Sequence, residues 1–105
     1  MRDILYTNAF KKDLKLVKSY REFKPDRLKE YITLIAEGNN LPENAKNHKL
    51  SKSSPEKYRG LYDFHVAPDI CVVYKLDKDT LTLVRIGKHN NLGLTEMLKS
   101  APVVE

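Results

Sequence analysis

The sequence predicts an α+β domain in which an N-terminal helical hairpin packs on a small, mainly antiparallel β-sheet. Two observations predict it. Apolar residues recur at helical spacing early in the chain, and later they alternate or run together in segments of strand length. Helices first and hairpins afterwards place the helices on one face of the sheet. The chain has 105 residues, so we expect a single domain over residues 1–105.

The N-terminal part predicts one short strand and two helices. Ile4 to Thr7 has strand character, and Asn8 is placed to cap the first helix. Pro25 suits the first turn of a second helix, and Gly38 suits its end. The apolar positions of the two helices are Phe10, Leu14, Val17 and Tyr20 or Arg21, then Leu28, Tyr31, Ile32 and Ile35. A short connection between them predicts an antiparallel helical hairpin.

The remainder predicts a polar loop followed by strands. Residues 39–56 are polar and rich in turn residues, which favours a long loop with one strand near His48 to Leu50. Beyond it we expect three strands, Tyr58 to Val66, Ile70 to Leu76 and Leu81 to Ile86, joined by two turns. Cys71 lies inside an apolar run, so we expect an inert buried thiol.

Regular alternation along these strands predicts two different faces. Closing the turns at Leu76–Leu81 and at His65–Ile70 gives one face with Asp63, His65, Ile70, Val72, Tyr74, Leu83 and Arg85. The other face holds Tyr62, Phe64, Cys71, Val73, Val84 and Ile86, which we expect to pack on the helices. A slip by one residue would bury Asp63 and Arg85 in that core. These two residues are read either as part of a site or as a plain cross-strand ion pair.

Charge and composition indicate the class of partner. The formal net charge is +5 and the pI is near 9.3, so the expected anion is a nucleic-acid phosphate. One cysteine excludes an internal disulfide, and no apolar run reaches membrane-spanning length, so we expect a cytoplasmic protein with no membrane contact. No closely spaced metal-ligand motif is present, and we expect no metal and no small-molecule cofactor. Histidine beside Arg and Asp can move protons and stabilise anionic charge, which predicts an RNA-cleaving enzyme.

Four short motifs, in this order, resemble the YafQ family of RelE-like bacterial toxins. They are Asn47-His48-Lys49-Leu50, His65-Val66-Ala67-Pro68-Asp69, Val73-Tyr74-Lys75-Leu76 and Arg85-Ile86-Gly87-Lys88-His89. The resemblance spans roughly residues 4–92 and leaves the tail, residues 94–105, outside. The chain departs from the family pattern at Ile70, where relatives often have Trp, and at Gly93, where they usually have an aromatic residue. Both departures bear on base preference, because aromatic side chains stack on bases.

The resemblance implies the toxin of a type II toxin–antitoxin system, an endoribonuclease that cuts mRNA on the ribosome. It places catalytic or RNA-contacting side chains at His48, His65, Asp69, Arg85 and His89. We expect His89 to act as general acid and Arg85 to clamp the phosphate. His65 or His48 is the expected base, with Asp69 tuning or replacing it, and the acid and base assignments can be exchanged.

The resemblance also implies an acidic, DNA-binding antitoxin as partner. Its expected docking surfaces are the basic helices and the apolar residues Ile70, Val72 and Leu83. Two other classes of function are alternatives: a non-catalytic, ParE-like poison of DNA gyrase, and a general nucleic-acid-binding module. The three histidines argue against a pure binder, and the chain has fewer aromatic and glycine residues than a nucleic-acid-binding module is expected to expose.

Overall fold

The computed structural model describes residues 1–50, 60–88 and Leu92, and the described residues form two helices, a short 3-10 helix and a five-stranded sheet. The elements are β1 (Asp3–Tyr6), α1 (Asn8–Val17), α2 (Pro25–Ala36), the 3-10 helix (Glu43–Ala45), β2 (His48–Lys49), β3 (Tyr62–Ala67), β4 (Ile70–Leu76) and β5 (Thr80–Lys88). The strand order is β1-β5-β4-β3-β2. β1 runs parallel to β5, and the other neighbouring pairs are antiparallel. The predicted α+β class is confirmed.

Helix α1 is capped one residue earlier than the sequence predicts. Thr7, not Asn8, is the N-cap, and its hydroxyl oxygen accepts a hydrogen bond from a first-turn amide at 3.1 Å. The same hydroxyl donates to the carbonyl of Val84 at 2.9 Å, which ties the start of the helix to β5. The helix ends at Val17, so its predicted continuation to Tyr20 is wrong.

Helix α2 begins and ends as predicted. Pro25 occupies its first position, where a missing N–H costs no helical hydrogen bond. Gly38 adopts φ 82° just after the helix, a left-handed conformation that glycine takes without strain. Arg2 then ties this end to the sheet, because its guanidinium donates to the carbonyls of Ile35 and Asp77, each at 2.9 Å. Neither helix in the described part of the chain is long and apolar enough to cross a membrane.

Each of the two hairpins contains a register shift, and these shifts overturn the predicted faces. One follows His65 in the β3–β4 pair, and the other lies beside Val73 in the β4–β5 pair. Val73 pairs with both Asp63 and Arg85, whereas regular counting from the turns predicts Val72 at that position. An inserted residue breaks strict alternation, so every residue beyond it changes face relative to simple counting. β3 begins at Tyr62, whereas its predicted start at Tyr58 lies outside the described residues.

The main core lies between the sheet and the two helices. It includes Phe10, Val17, Tyr31, Ile32, Ile35, Phe64, Ile70, Val72, Tyr74, Leu83 and Ile86. Phe64 and Ile86 face the helices as predicted, and Tyr62 packs against this core. Placing Ile70, Val72, Tyr74 and Leu83 beside Asp63 was wrong, because all four belong to this core.

The opposite surface of the sheet, which we call the distal face, is defined by Asp63, His65, Cys71 and Val73. A smaller apolar cluster covers part of it, made of Leu50, Cys71, Val73 and Leu92 with Leu61 and Val84 against them. The prediction that Cys71, Val73 and Val84 contact the helices was therefore wrong. Cys71 is nevertheless fully buried, as predicted, and burial raises the pKa of its thiol far above the ordinary range.

Candidate active site

A row of paired residues crosses the sheet from β2 to β5, and it includes Asp63 of the distal face. His48 pairs with Asp63, Asp63 with Val73, and Val73 with Arg85. Directly paired residues lie on the same face of a sheet, so the backbone register places these positions side by side. His65 follows Asp63 by two residues and pairs with Cys71 in the next row. The structure thus brings His48 and His65 to neighbouring positions.

Two oxygen atoms hold the imidazole of His48 through its Nδ1 atom. This nitrogen lies 2.9 Å from the carbonyl oxygen of Lys46 and 3.0 Å from Oδ1 of Asp63. Both oxygens are acceptors when the carboxyl is ionised, so Nδ1 carries a proton and, in the neutral ring, Nε2 carries the lone pair. The His48 side chain is 56% exposed. An exposed imidazole with a fixed tautomer is the form that a general base requires.

Asp63 is a buried carboxyl group in a sheet that otherwise buries apolar side chains. Its exposure is 2%, and among the described residues no aligned hydrogen-bond donor meets its Oδ1. The His48 contact is therefore mainly electrostatic, although the two atoms are close. Loss of hydration raises the pKa of Asp63 from 3.8 to about 6, and the nearby His48 opposes part of that rise. The carboxyl remains mostly ionised at neutral pH and carries a buried negative charge beside His48.

Tyr74 fixes the position of the short strand β2. Its hydroxyl donates a hydrogen bond to the side-chain oxygen of Asn47, the residue before His48. Burial raises the pKa of Tyr74 to about 12, so the phenol stays protonated and keeps donating. The ring also stacks on Tyr62, with 5.4 Å between ring centres. This core tyrosine therefore holds the backbone that carries His48.

Arg85 is engaged by helix α1. Its Nε and Nη2 atoms donate to the carboxylate of Asp13, the second at 3.0 Å, and the backbone amide of Ile86 donates to the same carboxylate at 3.2 Å. The alternative interpretation of Asp63 and Arg85 as a cross-strand ion pair is wrong, because Arg85 pairs with Asp13 and Asp63 contacts His48. The sequence reasoning missed Asp13. It is the acidic residue within a helix that otherwise carries only lysines as charged residues, and that contrast is the signal that could have identified it.

Asp69 lies in the exposed turn between β3 and β4. Its carboxylate is 3.8 Å from Nζ of Lys88, and that Nζ lies 4.5 Å from the centre of the Tyr20 ring. His89 lies outside the described residues, so its place in the site stays a prediction. Within the described part of the chain, no three His, Cys, Asp or Glu side chains are grouped closely enough to hold a metal ion.

A cleft of about 260 Å³ adjoins His65 where α2, the 3-10 helix and the end of β3 meet. Its lining includes His65 and the two cationic residues Arg27 and Lys46. Arg27 and Lys46 are exposed, and neither has a carboxylate within 4 Å among the described residues. Lys46 also supplies the carbonyl that holds His48. The sequence reasoning did not single out either cation. Together they make the cleft suitable for an anion such as a phosphate.

Comparisons of the sequence and the structure with known proteins find relatives of one and the same kind. A family model described as "Bacterial toxin of type II toxin-antitoxin system, YafQ" matches residues 2–94. The mRNA interferase toxin YafQ of Escherichia coli (strain B / BL21-DE3) is 39% identical over 90 residues, which cover 84% of this chain and 91% of the relative. The crystal structure of YafQ from that strain superposes with a TM-score of 0.74 at 35% identity, covering 88% of this chain and 98% of YafQ. YafQ in the E. coli DinJ–YafQ complex gives 0.72 at 38% identity, over 88% and 98%.

Proposed function

The chain belongs to the YafQ family of type II toxin–antitoxin toxins, and we propose that it is an endoribonuclease that cuts mRNA with side chains of the distal face. The related toxins are named mRNA interferases, which favours this activity over the gyrase-poison and simple binding alternatives. The observation that carries the proposal is the fixed, exposed imidazole of His48, close to His65 and to a cation-lined cleft.

The proposed reaction drives the ribose 2′-hydroxyl onto the adjacent phosphorus. A base takes the proton of the 2′-hydroxyl, the P–O bond to the 5′-oxygen breaks, and an acid gives that oxygen a proton. His48 through Nε2 is the better candidate base, since its tautomer is fixed, and His65 is the alternative. His89 is the proposed acid on the strength of the family motif. Each positioned proton-transfer group typically contributes about 10²–10⁴-fold to the rate.

Positive charge must balance the phosphorane-like state, and three side chains are candidates to supply it. Arg27 and Lys46 line the cleft, and Arg85 lies in the row that contains Asp63. Because Asp13 engages the Nε and Nη2 donors of Arg85, we propose that Arg85 clamps the phosphate through a rearrangement of this pair. Asp69 is better placed to hold Lys88 than to act as a base, so we propose an auxiliary role for it.

The partners proposed for this chain are an antitoxin, mRNA and the ribosome, with the cytoplasm as the compartment. The antitoxin is supported by the E. coli relative, whose structure is a complex with DinJ. The expectation that Ile70, Val72 and Leu83 form its docking surface was wrong, because none of the three is exposed. The basic helix α1, with Leu16 about half exposed, remains a candidate surface for an acidic partner.

Expression of the chain in bacteria tests the proposed function. We expect growth arrest within minutes and new mRNA 5′-ends, mapped by primer extension. A His89→Gln variant keeps a polar side chain but cannot titrate near neutral pH, so cleavage should fall by about 10²-fold or more. Lys78→Gln, in the β4–β5 turn at the other end of the sheet, is the matched control and should cut normally. Growth arrest without new RNA ends would reject the proposal.

A further inference from the structure

Asp63 is the one buried acidic side chain among the described residues, and its position is informative. It lies on β3 directly opposite His48, and its Oδ1 is 3.0 Å from the imidazole Nδ1. The exposed imidazole therefore has one nitrogen against a buried carboxylate and the other available for proton transfer. We propose that Asp63 is a positioning residue, which acts on the reaction only through His48. The proposal rests on the proposed ribonuclease function.

Two physical effects give Asp63 this role. First, the Lys46 carbonyl accepts from Nδ1 and the negative charge of the Asp63 carboxylate lies 3.0 Å from the same nitrogen, so both favour the Nδ1–H tautomer and leave the lone pair on Nε2. Second, when His48 takes a proton on Nε2 it becomes an imidazolium, and the adjacent negative charge stabilises that cation. The carboxylate does not take the proton itself. The same division of roles holds in catalytic triads.

The burial of Asp63 separates positioning from direct contact with RNA. At 2% exposure the carboxyl cannot reach a phosphate or a base of bound RNA. Replacing Asp63 therefore removes no direct contact with RNA. Burial without an aligned donor also raises its pKa, so the fold carries this group at a cost in stability. A purely structural role would not account for a destabilising carboxyl facing an exposed histidine.

A double-mutant cycle with Asp63→Asn and His48→Gln tests the proposal. In single-turnover cleavage with the protein in saturating excess over RNA, Asp63→Asn alone should slow the reaction by about 10- to 100-fold, with RNA affinity changed less than threefold. Once His48 is Gln, adding Asp63→Asn should slow it no further, because the two act as one unit. Independent, multiplying losses would overturn the proposal, as would wild-type cleavage by Asp63→Asn. Asp79→Asn, an exposed acid in the β4–β5 turn at the other end of the sheet, serves as the comparison for loss of one negative charge.

Nuclear magnetic resonance of the imidazole nitrogens provides a readout that needs no RNA cleavage. In ¹⁵N-labelled wild-type protein at neutral pH, His48 should show the Nδ1–H tautomer, and Asp63→Asn should shift the population toward Nε2–H. If wild-type His48 is already mainly Nε2–H, the proposal fails even in a protein that cuts RNA. If the tautomer is as expected in a folded protein that cuts no RNA under any condition, the proposed function fails while the positioning geometry stands.

Discussion

Replacing Asp63 with Asn should stabilise the folded protein at neutral pH, although it removes a polar contact. The carboxyl is 2% exposed and has no aligned donor at Oδ1 among the described residues, so ionisation is less favourable in the fold than in the unfolded chain. Asn has nearly the same shape but cannot ionise. The variant therefore keeps the packing and loses the buried charge.

The pKa of Asp63 sets both the size and the pH window of this effect. Folding raises it from 3.8 to about 6, a difference of about two. A pKa difference of one corresponds to roughly 1.4 kcal/mol. The ionised carboxyl therefore lowers the free energy of unfolding by about 3 kcal/mol. Because the folded pKa is the higher one, this stability is present below about pH 4 and is lost as the pH rises to about 6. Asn cannot ionise, so the free energy of unfolding of the variant should exceed that of wild type above pH 6 and should not exceed it below pH 4.

Urea unfolding followed by circular dichroism at pH 4 and pH 8 measures the difference. Both proteins share every other titrating group, so the change in their difference with pH reports Asp63 together with its electrostatic coupling to His48. Asp69→Asn is the matched control, since its side chain is 53% exposed and should change stability by less than about 0.5 kcal/mol at either pH. An Asp63→Asn protein that is less stable than wild type at pH 8, or a difference that does not depend on pH, would refute the reasoning.

Three further predictions concern other parts of the chain. Arg85→Ala should lower the free energy of unfolding by about 1–3 kcal/mol, because the carboxylate of Asp13 loses its bidentate partner, and a stability equal to wild type in urea unfolding would contradict this. Cys71 should resist iodoacetamide at pH 8 until urea unfolds the protein, since the thiol is fully buried and its pKa is raised, and fast labelling of native protein would be inconsistent. Arg27→Ala and Lys46→Ala should each weaken binding of single-stranded RNA and reduce the slope of log affinity against log salt by about 0.7, whereas an unchanged slope would exclude the cleft as a phosphate site.

The sequence was sufficient to predict the helices and the existence of most strands, because their signals are local. Pro25 and Gly38 mark the ends of α2 through their own backbone preferences. The faces of the sheet could not be predicted in the same way. The run from Ile70 to Tyr74 is apolar at every position and buried on both sides, so it has no alternation from which to read a register. Counting across a turn fails as soon as one residue is inserted.

The candidate site could be predicted only in part, because cross-strand neighbours depend on the register of the strands. His65 was singled out because histidine is scarce in this chain and this one lies at the end of a predicted strand, whereas His48 was singled out only by its place in a motif that resembles the family's. The partner of Asp63 was misassigned, since a shift of one residue replaces one cross-strand neighbour with another. Arg27 and Lys46 were not singled out, because single charges on a helix or loop are indistinguishable in sequence from an ordinary solvated surface. Only the fold shows that they line one cleft.

The parallel pairing of β1 with β5 has a consequence for how the chain is made. Asp3 pairs with Thr80, 77 positions later, and Asp13 on α1 meets Arg85, 72 positions later. At about 5–20 residues per second, synthesis takes roughly 4–15 s to span that separation. During that time the first strand has no partner in the sheet, and the row that ends at Arg85 is incomplete. We therefore expect a growing chain to gain its proposed ribonuclease surface only after β5 has been made, which spares the mRNA that encodes it for most of its own translation.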